Sequence, residues 1–433
     1  MRPSYRQFIF EDYVFDADNH TLRLNYSFDE TVNFTETFHF DFDFVTYDSV
    51  VLDRACQSLF FMAGVSYYKA YLAPEIVIRK GELDKESANF FSKTYQKGLG
   101  EFFFVNQLDP HTPVTFPTTV EQLEPLPPTD QLPEGMLVGI GGGKDSLVSV
   151  ELLRDTAEDL ATWSVGYRPQ LAPLVERVDL PHYWVDRELD RSLLEHNTKG
   201  ALNGHIPISA ILACAGVVVA VLSGKRDVIV SNEQSANEPT LHYLGVAINH
   251  QYSKSGEFEQ DFQTYLAHSL GQSVRYYSLL RPLSELRIAE MFASHSFDIY
   301  HDVFSSCNRA FRHDSDHLFW DGTCPKCAFV FLALTPFLPQ TKLEALFSGK
   351  NLLKDPSLEL TYQQLLGVEG NKPLECVGEI KESRAAMRLA TTTYPELVGK
   401  YQFELLEDYN YKALGSHHMP IEIYDQFSRL LTA

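Results

Sequence analysis

The stretch VGIGGGKDSLVSVELL, Val138 to Leu153, constrains this chain more than any other. A short apolar run leads into three successive glycines, and an apolar helical period follows them. The stretch reads as strand, tight turn and helix. Lacking Cβ atoms, Gly141, Gly142 and Gly143 let backbone N–H groups turn toward an anion. The helix beginning near Ser146 aims its positive end at the same point. Lys144 adds a charge and Ser146 a hydroxyl. Asp145 suits such a place only beside Mg²⁺ or as a helix cap. Two common phosphate-loop templates fail. G-x-x-x-x-G-K-[ST] would need glycine at Val138 and Ser or Thr at Asp145. G-x-G-x-x-G would end on Ser146 and enclose Lys144.

The flanking sequence predicts the fold around this turn. From Met136, the apolar runs MLVGI, ATWSV, HYWV, DVIVSN and VRYYSLL alternate with helices beginning near Ser146, Pro169, Pro207, Phe258 and Pro282. Such alternation predicts an α/β fold, a parallel doubly wound sheet, over residues 135–350. Residues 1–105 read differently. TLRLNYSF and VNFTETFHFDFDF have strand period, and a helical stretch, the strand EIVIR and a second helix follow. They predict a small N-terminal α+β domain. Residues 106–134 hold seven prolines and no apolar period, as a Pro-rich linker does. Residues 351–433 read as a helical C-terminal region. Two or three domains suit 433 residues.

Several classes are disfavoured. No charge falls between Lys199 and Lys225, and IPISAILACAGVVVAVL looks membrane-like. Its length and setting predict a buried helix instead. The first residues lack an apolar signal core, so a cytoplasmic protein is expected. Six cysteines are too sparse for a disulfide framework. A net charge of −22 weighs against nucleic acid as the main partner.

Other polar residues are candidates by position. Ser231, Asn232 and Glu233 follow a strand, at the sheet edge where open α/β folds bind ligands. Asn203 and His205 precede an apolar helix; His205 is a cap or a base. His250, Gln251, Ser253 and Lys254 form a polar loop that meets substrate or solvent. Glu259 faces Mg²⁺ or water. Arg281 meets a phosphate or substrate carboxylate, or makes a surface pair. Lys381, Ser383 and Arg384 suit a diphosphate or form a charged helix face. Tyr67 and Tyr68, next to Lys69, are expected in the core. Cys324 and Cys327, in C-P-K-C, could grip Zn²⁺ with Cys307. Cys307 has a rival role as a proton donor.

GGGKDS resembles the pyrophosphate loop of the ATP-pyrophosphatase (PP-loop) superfamily, which commonly has serine at the Gly141 position. Such enzymes split ATP to AMP and pyrophosphate while adenylating an acceptor. Beyond the loop, LNGHIP, SNEQSA, NHQYSK, YYSLLRPLSEL, SSCNR, CPKCAFVFLAL and ECVGEIKESRAAM resemble the MurL family of peptidoglycan synthesis. So do AGVSYYKA and GLGEF nearer the start. The likeness runs from about Ala63 to Met387. It implies an ATP- and Mg²⁺-dependent isomerase on a PP-loop sheet, inverting the terminal L-glutamate of UDP-MurNAc-L-Ala-L-Glu. A ligase that adds L-glutamate is the implied pathway neighbour, with no membrane partner.

Under that resemblance, Gly141 to Ser146 with Ser231, Asn232 and Glu233 hold ATP. Lys144, Asp145, His205, His250 and Glu259 are the catalytic candidates. Asn203, Gln251, Ser253, Lys254, Arg281, Lys381, Ser383 and Arg384 are the substrate-binding ones. Related enzymes carry a zinc knuckle, C-G-x-C-x-x-C, where this chain has DGTCPKC. Asp321 then stands for a cysteine, giving Cys307, Asp321, Cys324 and Cys327 as a Zn²⁺ set. Cys376 or His317 could replace Asp321, or the turn could be metal-free. The same loop also serves ligases and thiolases acting on a nucleobase or tRNA, an alternative the acidic balance disfavours.

Overall fold

The computed structural model describes residues 3–126, 132–311, 315–397, 399–404 and 409–432. Residues 127–131 of the proline-rich segment lie outside the described residues. Eleven strands are present among them. β1 (Gln7–Asp16), β2 (Thr21–Phe28) and β3 (Val32–Asp41) form an antiparallel meander, and β4 (Glu75–Ile78) adds parallel to β1. β5 (Met136–Gly139), β6 (Leu160–Val165), β7 (His182–Glu188), β8 (Asp227–Val230) and β11 (Arg275–Ser278) pair in parallel. β9 (Leu241–Tyr243) and β10 (Val246–Ile248) make a separate hairpin.

All but the hairpin belong to one nine-stranded sheet, in the order β11-β8-β5-β6-β7-β3-β2-β1-β4. The sheet therefore does not stop at residue 105. β3 pairs antiparallel with β7, from Thr37 opposite Glu188 to Asp41 opposite Trp184. Arg187 Nε reaches Glu36 Oε1 at 2.6 Å across this joint, with Glu36 fully buried.

Side-chain alternation splits the interior into two cores, one on each face. Leu137, Val228 and Tyr276 enter one core, while their neighbours Val138, Ile229 and Tyr277 enter the other. The first core takes in the aromatic faces of β1, β2 and β3 and helices Ser49–Ala63, Lys85–Gly98, Ile208–Ser223 and Gly256–Leu270. The second takes in helices Lys144–Arg154 and Arg168–Val178 and much of the chain beyond residue 279. Residues after 350 thus pack onto the sheet's second face. Ile208–Ser223, the membrane-like stretch, is buried against Ser49–Ala63 and β8. No helix among the described residues is long and apolar enough to cross a membrane.

Candidate functional site

Within the parallel half, the chain adds β6 and β7 on one side of β5, then β8 and β11 on the other. The order reverses at β5, and ligands of open α/β sheets bind beyond the strand ends at such a point. A cavity of about 420 Å³ opens there. Gly141, Gly143, Asp145 and Ser146 line one wall, and Ser231 and Asn232 line another.

The glycine run folds as the anion turn requires. Gly142 has φ +86°, a left-handed value that glycine adopts without strain. Its carbonyl accepts from Ser305 N at 3.0 Å, and Lys144 N donates to Ser306 Oγ at 3.3 Å. The segment Ser305–Cys307 thereby braces the loop. Gly143 caps helix Lys144–Arg154 without a side-chain bond, so Asp145 is not the cap. Gly141 has nothing within 4 Å of where a Cβ would stand, which leaves its backbone open to the cavity.

Lys144 points beneath the loop, fully buried, and pairs with Asp145 and Glu285. Burial alone would lower its pKa, but the two carboxylates raise it above the usual lysine value. Lys326 Nζ adds a second cation 3.3 Å from Glu285 Oε1. Asp145, Glu233 and Glu285 bring carboxylate oxygens within 4.8 Å of one another. Burial, then the charges of Glu285 and Asp145, lift the Glu233 carboxyl to about 7. Three crowded carboxylates at an anion turn have the donor chemistry of a Mg²⁺ site, where one or two carboxylates share the ion with phosphates.

Across the cavity lies a second polar group. Lys254 Nζ is 3.3 Å from Cys376 Sγ, and Cys376 and Lys254 both line the cavity. His250 is a second neighbour of the thiol and, through Nδ1, meets Glu101. Burial would raise the Cys376 thiol, but Lys254 and His250 outweigh it and bring it down to about 6. Burial likewise opposes protonation of His250, yet Cys376 and Glu101 raise it to about 9. His205 lies against His250, the rings tilted by 43° with centroids 4.5 Å apart. Burial and that neighbour lower it to about 4.

The cysteine motif gathers at one place beside the glycine loop. Cys307, Asp321, Cys324 and Cys327 bring their ligand atoms within 4.8 Å of one another. Cys307 Sγ and Cys324 Sγ are 3.7 Å apart, close to the roughly 3.8 Å edge of a tetrahedron with Zn–S bonds of about 2.3 Å. Backbone N–H groups of Arg309 and Cys327 donate to Cys307 and Cys324, each at 3.3 Å. His317 is exposed beside Asp316, and Cys376 sits with Lys254 instead.

The other candidates fall elsewhere. Arg281 and Glu259 form a pair at 2.8 Å, each 1% exposed. Arg281 also donates to the Glu233 carbonyl, and Glu259 accepts from Ser278 N. Neither lines the cavity. Asn203 accepts from Lys69, Gln251 and Ser253 are buried, and Tyr67 and Tyr68 are core residues. Lys381 and Arg384 line a separate cavity of about 720 Å³ with Glu238, Arg388, Tyr409 and Tyr411. Ser383 is buried behind it.

Sequence reading did not single out Glu101, Glu285, Lys326 or, as more than a spare zinc ligand, Cys376. All four lie inside motifs it had marked: GLGEF, RPLSEL, CPKC and ECVGE. The available signal was an ionisable residue within each such motif.

Comparison with known proteins covers most of the chain with two family models. The MurL N-terminal domain model matches residues 1–279, and the MurL C-terminal domain model matches residues 303–402. A UDP-N-acetyl-alpha-D-muramoyl-L-alanyl-L-glutamate epimerase of Xanthomonas oryzae is 41% identical over 377 residues, 86% of this chain and 83% of the relative. Proteins of the same name from Micromonospora and Salinispora tropica are 40% and 41% identical. Each of those matches spans 78% of this chain, and 75% and 73% of the respective relative.

Proposed function

This chain belongs to the MurL family, and we propose that it inverts the terminal L-glutamate of UDP-MurNAc-L-Ala-L-Glu through a glutamyl adenylate. It is an isomerase acting on a UDP-muropeptide. The observation that carries the adenylate is the glycine turn opening onto a cavity at the sheet's reversal point.

The fold belongs with PP-loop sheets. ATP enters with its phosphates at Gly141–Gly143 and the N-terminus of helix Lys144–Arg154, where backbone N–H groups and the helix dipole favour anions. Asp145, Glu233 and Glu285 would hold Mg²⁺, which would offset phosphate charge. Lys144 holds Asp145 and Glu285 in place, and Lys326 braces Glu285.

The need for ATP follows from the acid–base problem. Taking an α-proton from a free carboxylate would create a dianion. Joining the carboxylate to AMP removes its charge and acidifies the α-proton. A base then takes that proton, a proton returns on the opposite face, and hydrolysis releases AMP with the D-glutamyl product. The enolate requires donors already in place. The L-glutamate must first be attached by an amide-forming ligase.

The four-residue cluster at Cys307 would hold structural Zn²⁺, fixing Ser305 and Ser306 against the glycine loop. Incubation with ATP, Mg²⁺ and UDP-MurNAc-L-Ala-L-Glu in D₂O tests the reading. Deuterium at the glutamyl α-carbon together with AMP and pyrophosphate is expected. Epimerisation with ADP, or without ATP, would overturn the adenylate.

A further inference from the structure

The adenylate reading requires a base beside the cavity, and the inference here rests on that reading. We propose that Cys376 is a catalytic residue whose thiolate takes the α-proton of the activated glutamyl group.

Among the described cavity residues, the ionisable ones are Asp145, Lys254, Tyr276, Cys307, Lys326 and Cys376. Asp145 is paired with Lys144 and Lys326 with Glu285. Cys307 is gathered with Asp321, Cys324 and Cys327. Tyr276 is buried in the core, and burial raises its phenol above the usual range. Lys254 is raised above the usual lysine value by Cys376 first, so it is a cation rather than a base.

Cys376 remains, and its surroundings are those of an activated thiol. Lys254 stands 3.3 Å away as a fixed positive charge. His250 is a second cationic neighbour of the sulfur and is held in turn by Glu101 through Nδ1. A nucleophile or base beside a histidine that a carboxylate orients is a recurring catalytic arrangement. Neighbouring cations favour the thiolate. The resulting basicity lies near neutral pH, where a general base works best.

The thiolate forms an S–H bond with the α-proton, and the C–H electron pair moves onto the carbonyl oxygen of the acyl phosphate. An acid in exchange with solvent then protonates the α-carbon on the opposite face, and the carbonyl re-forms. The thiol returns its proton to solvent past Lys254 and His250. Water hydrolyses the acyl adenylate to carboxylate and AMP.

The test uses the full chain with ATP, Mg²⁺ and UDP-MurNAc-L-Ala-L-Glu in D₂O. For Cys376→Ser, α-deuterium uptake and D-epimer formation should fall by at least about 100-fold. Substrate-dependent exchange of radiolabelled pyrophosphate into ATP should persist. Deuterium uptake at the wild-type rate in Cys376→Ser would overturn the proposal. Absence of pyrophosphate exchange in the wild-type protein would break the adenylate reading; deuterium uptake that still requires Cys376 would then support the thiolate by itself. Should Cys376→Ser fail to fold, iodoacetamide modification of the wild-type protein decides, mapped by mass spectrometry. Loss of deuterium uptake in step with Cys376 labelling supports the role. Undiminished uptake with Cys376 fully labelled overturns it.

Discussion

β1, β2 and β3 run for eight to ten residues and bury Phe8, Phe10, Tyr26, Phe28 and Phe34, whereas β5, β8 and β11 stop after four. The long strands pair over eight residues each and pass their aromatic faces to one core. The short strands end early, and the loops beyond them carry Gly141–Gly143, Ser231–Glu233 and Arg281. One half of the sheet is a support and the other is a platform. The two meet where β3 pairs with β7.

The joint should show the largest effect. Arg187→Met leaves Glu36 buried without its cation, which costs about 3–5 kcal/mol. Urea unfolding should show that loss; an unchanged midpoint would mean the halves do not depend on this pair. Next, Asp145→Asn should slow AMP formation about 100-fold, about 2.7 kcal/mol of barrier, with little change in melting temperature. Normal AMP formation would remove Asp145 from the chemistry of the platform.

A smaller effect is tied to pH. His182 on β7 lies between the Thr162 and Ser164 hydroxyls, at 2.8 and 2.9 Å. Burial and then Arg168 lower it from 6.5 to about 4. The folded state thus prefers the neutral ring. Its contribution is complete above pH 6.5 and is lost as pH falls from 6.5 toward 4. By pH 5 the loss should reach about 2 kcal/mol. Urea titrations at pH 7.5 and 5 should show a smaller acid-induced decrease in His182→Asn; an equal decrease would place the sensitivity elsewhere. The smallest effect belongs to the surface. Glu195→Gln removes an exposed pair with Lys199 and should change stability by less than about 0.5 kcal/mol, well below the Arg187→Met loss in the same titration.

The contrast between halves also explains what could be read in advance. Apolar runs bounded by turn residues mark β5 to β8 and β11, because each strand's period is local. The glycines mark the turn because Gly142 needs its positive φ. The β3–β7 pairing has no local signal: Phe38 and Arg187 lie 149 positions apart and find each other only through register. Arg281 shows the same limit. Its place after β11 suits a ligand contact, but the buried Glu259 carboxylate and the Glu233 carbonyl occupy its guanidinium. Cys376 in ECVGE carries nothing beside it to mark a reactive thiol. Lys254 and His250 confer that character from more than 120 positions away.

That separation has a consequence for synthesis of the chain. Glu101 belongs to the first quarter of the sequence, His250 and Lys254 to the middle, and Cys376 to the last quarter. A ribosome releases the support first, then the glycine turn, then the histidine, and the thiol only near the end. A nascent chain that already holds the whole nine-stranded sheet, complete at Ser278, still lacks the sulfur. Premature termination before residue 376 therefore yields a product without this polar group, however well its sheet has formed.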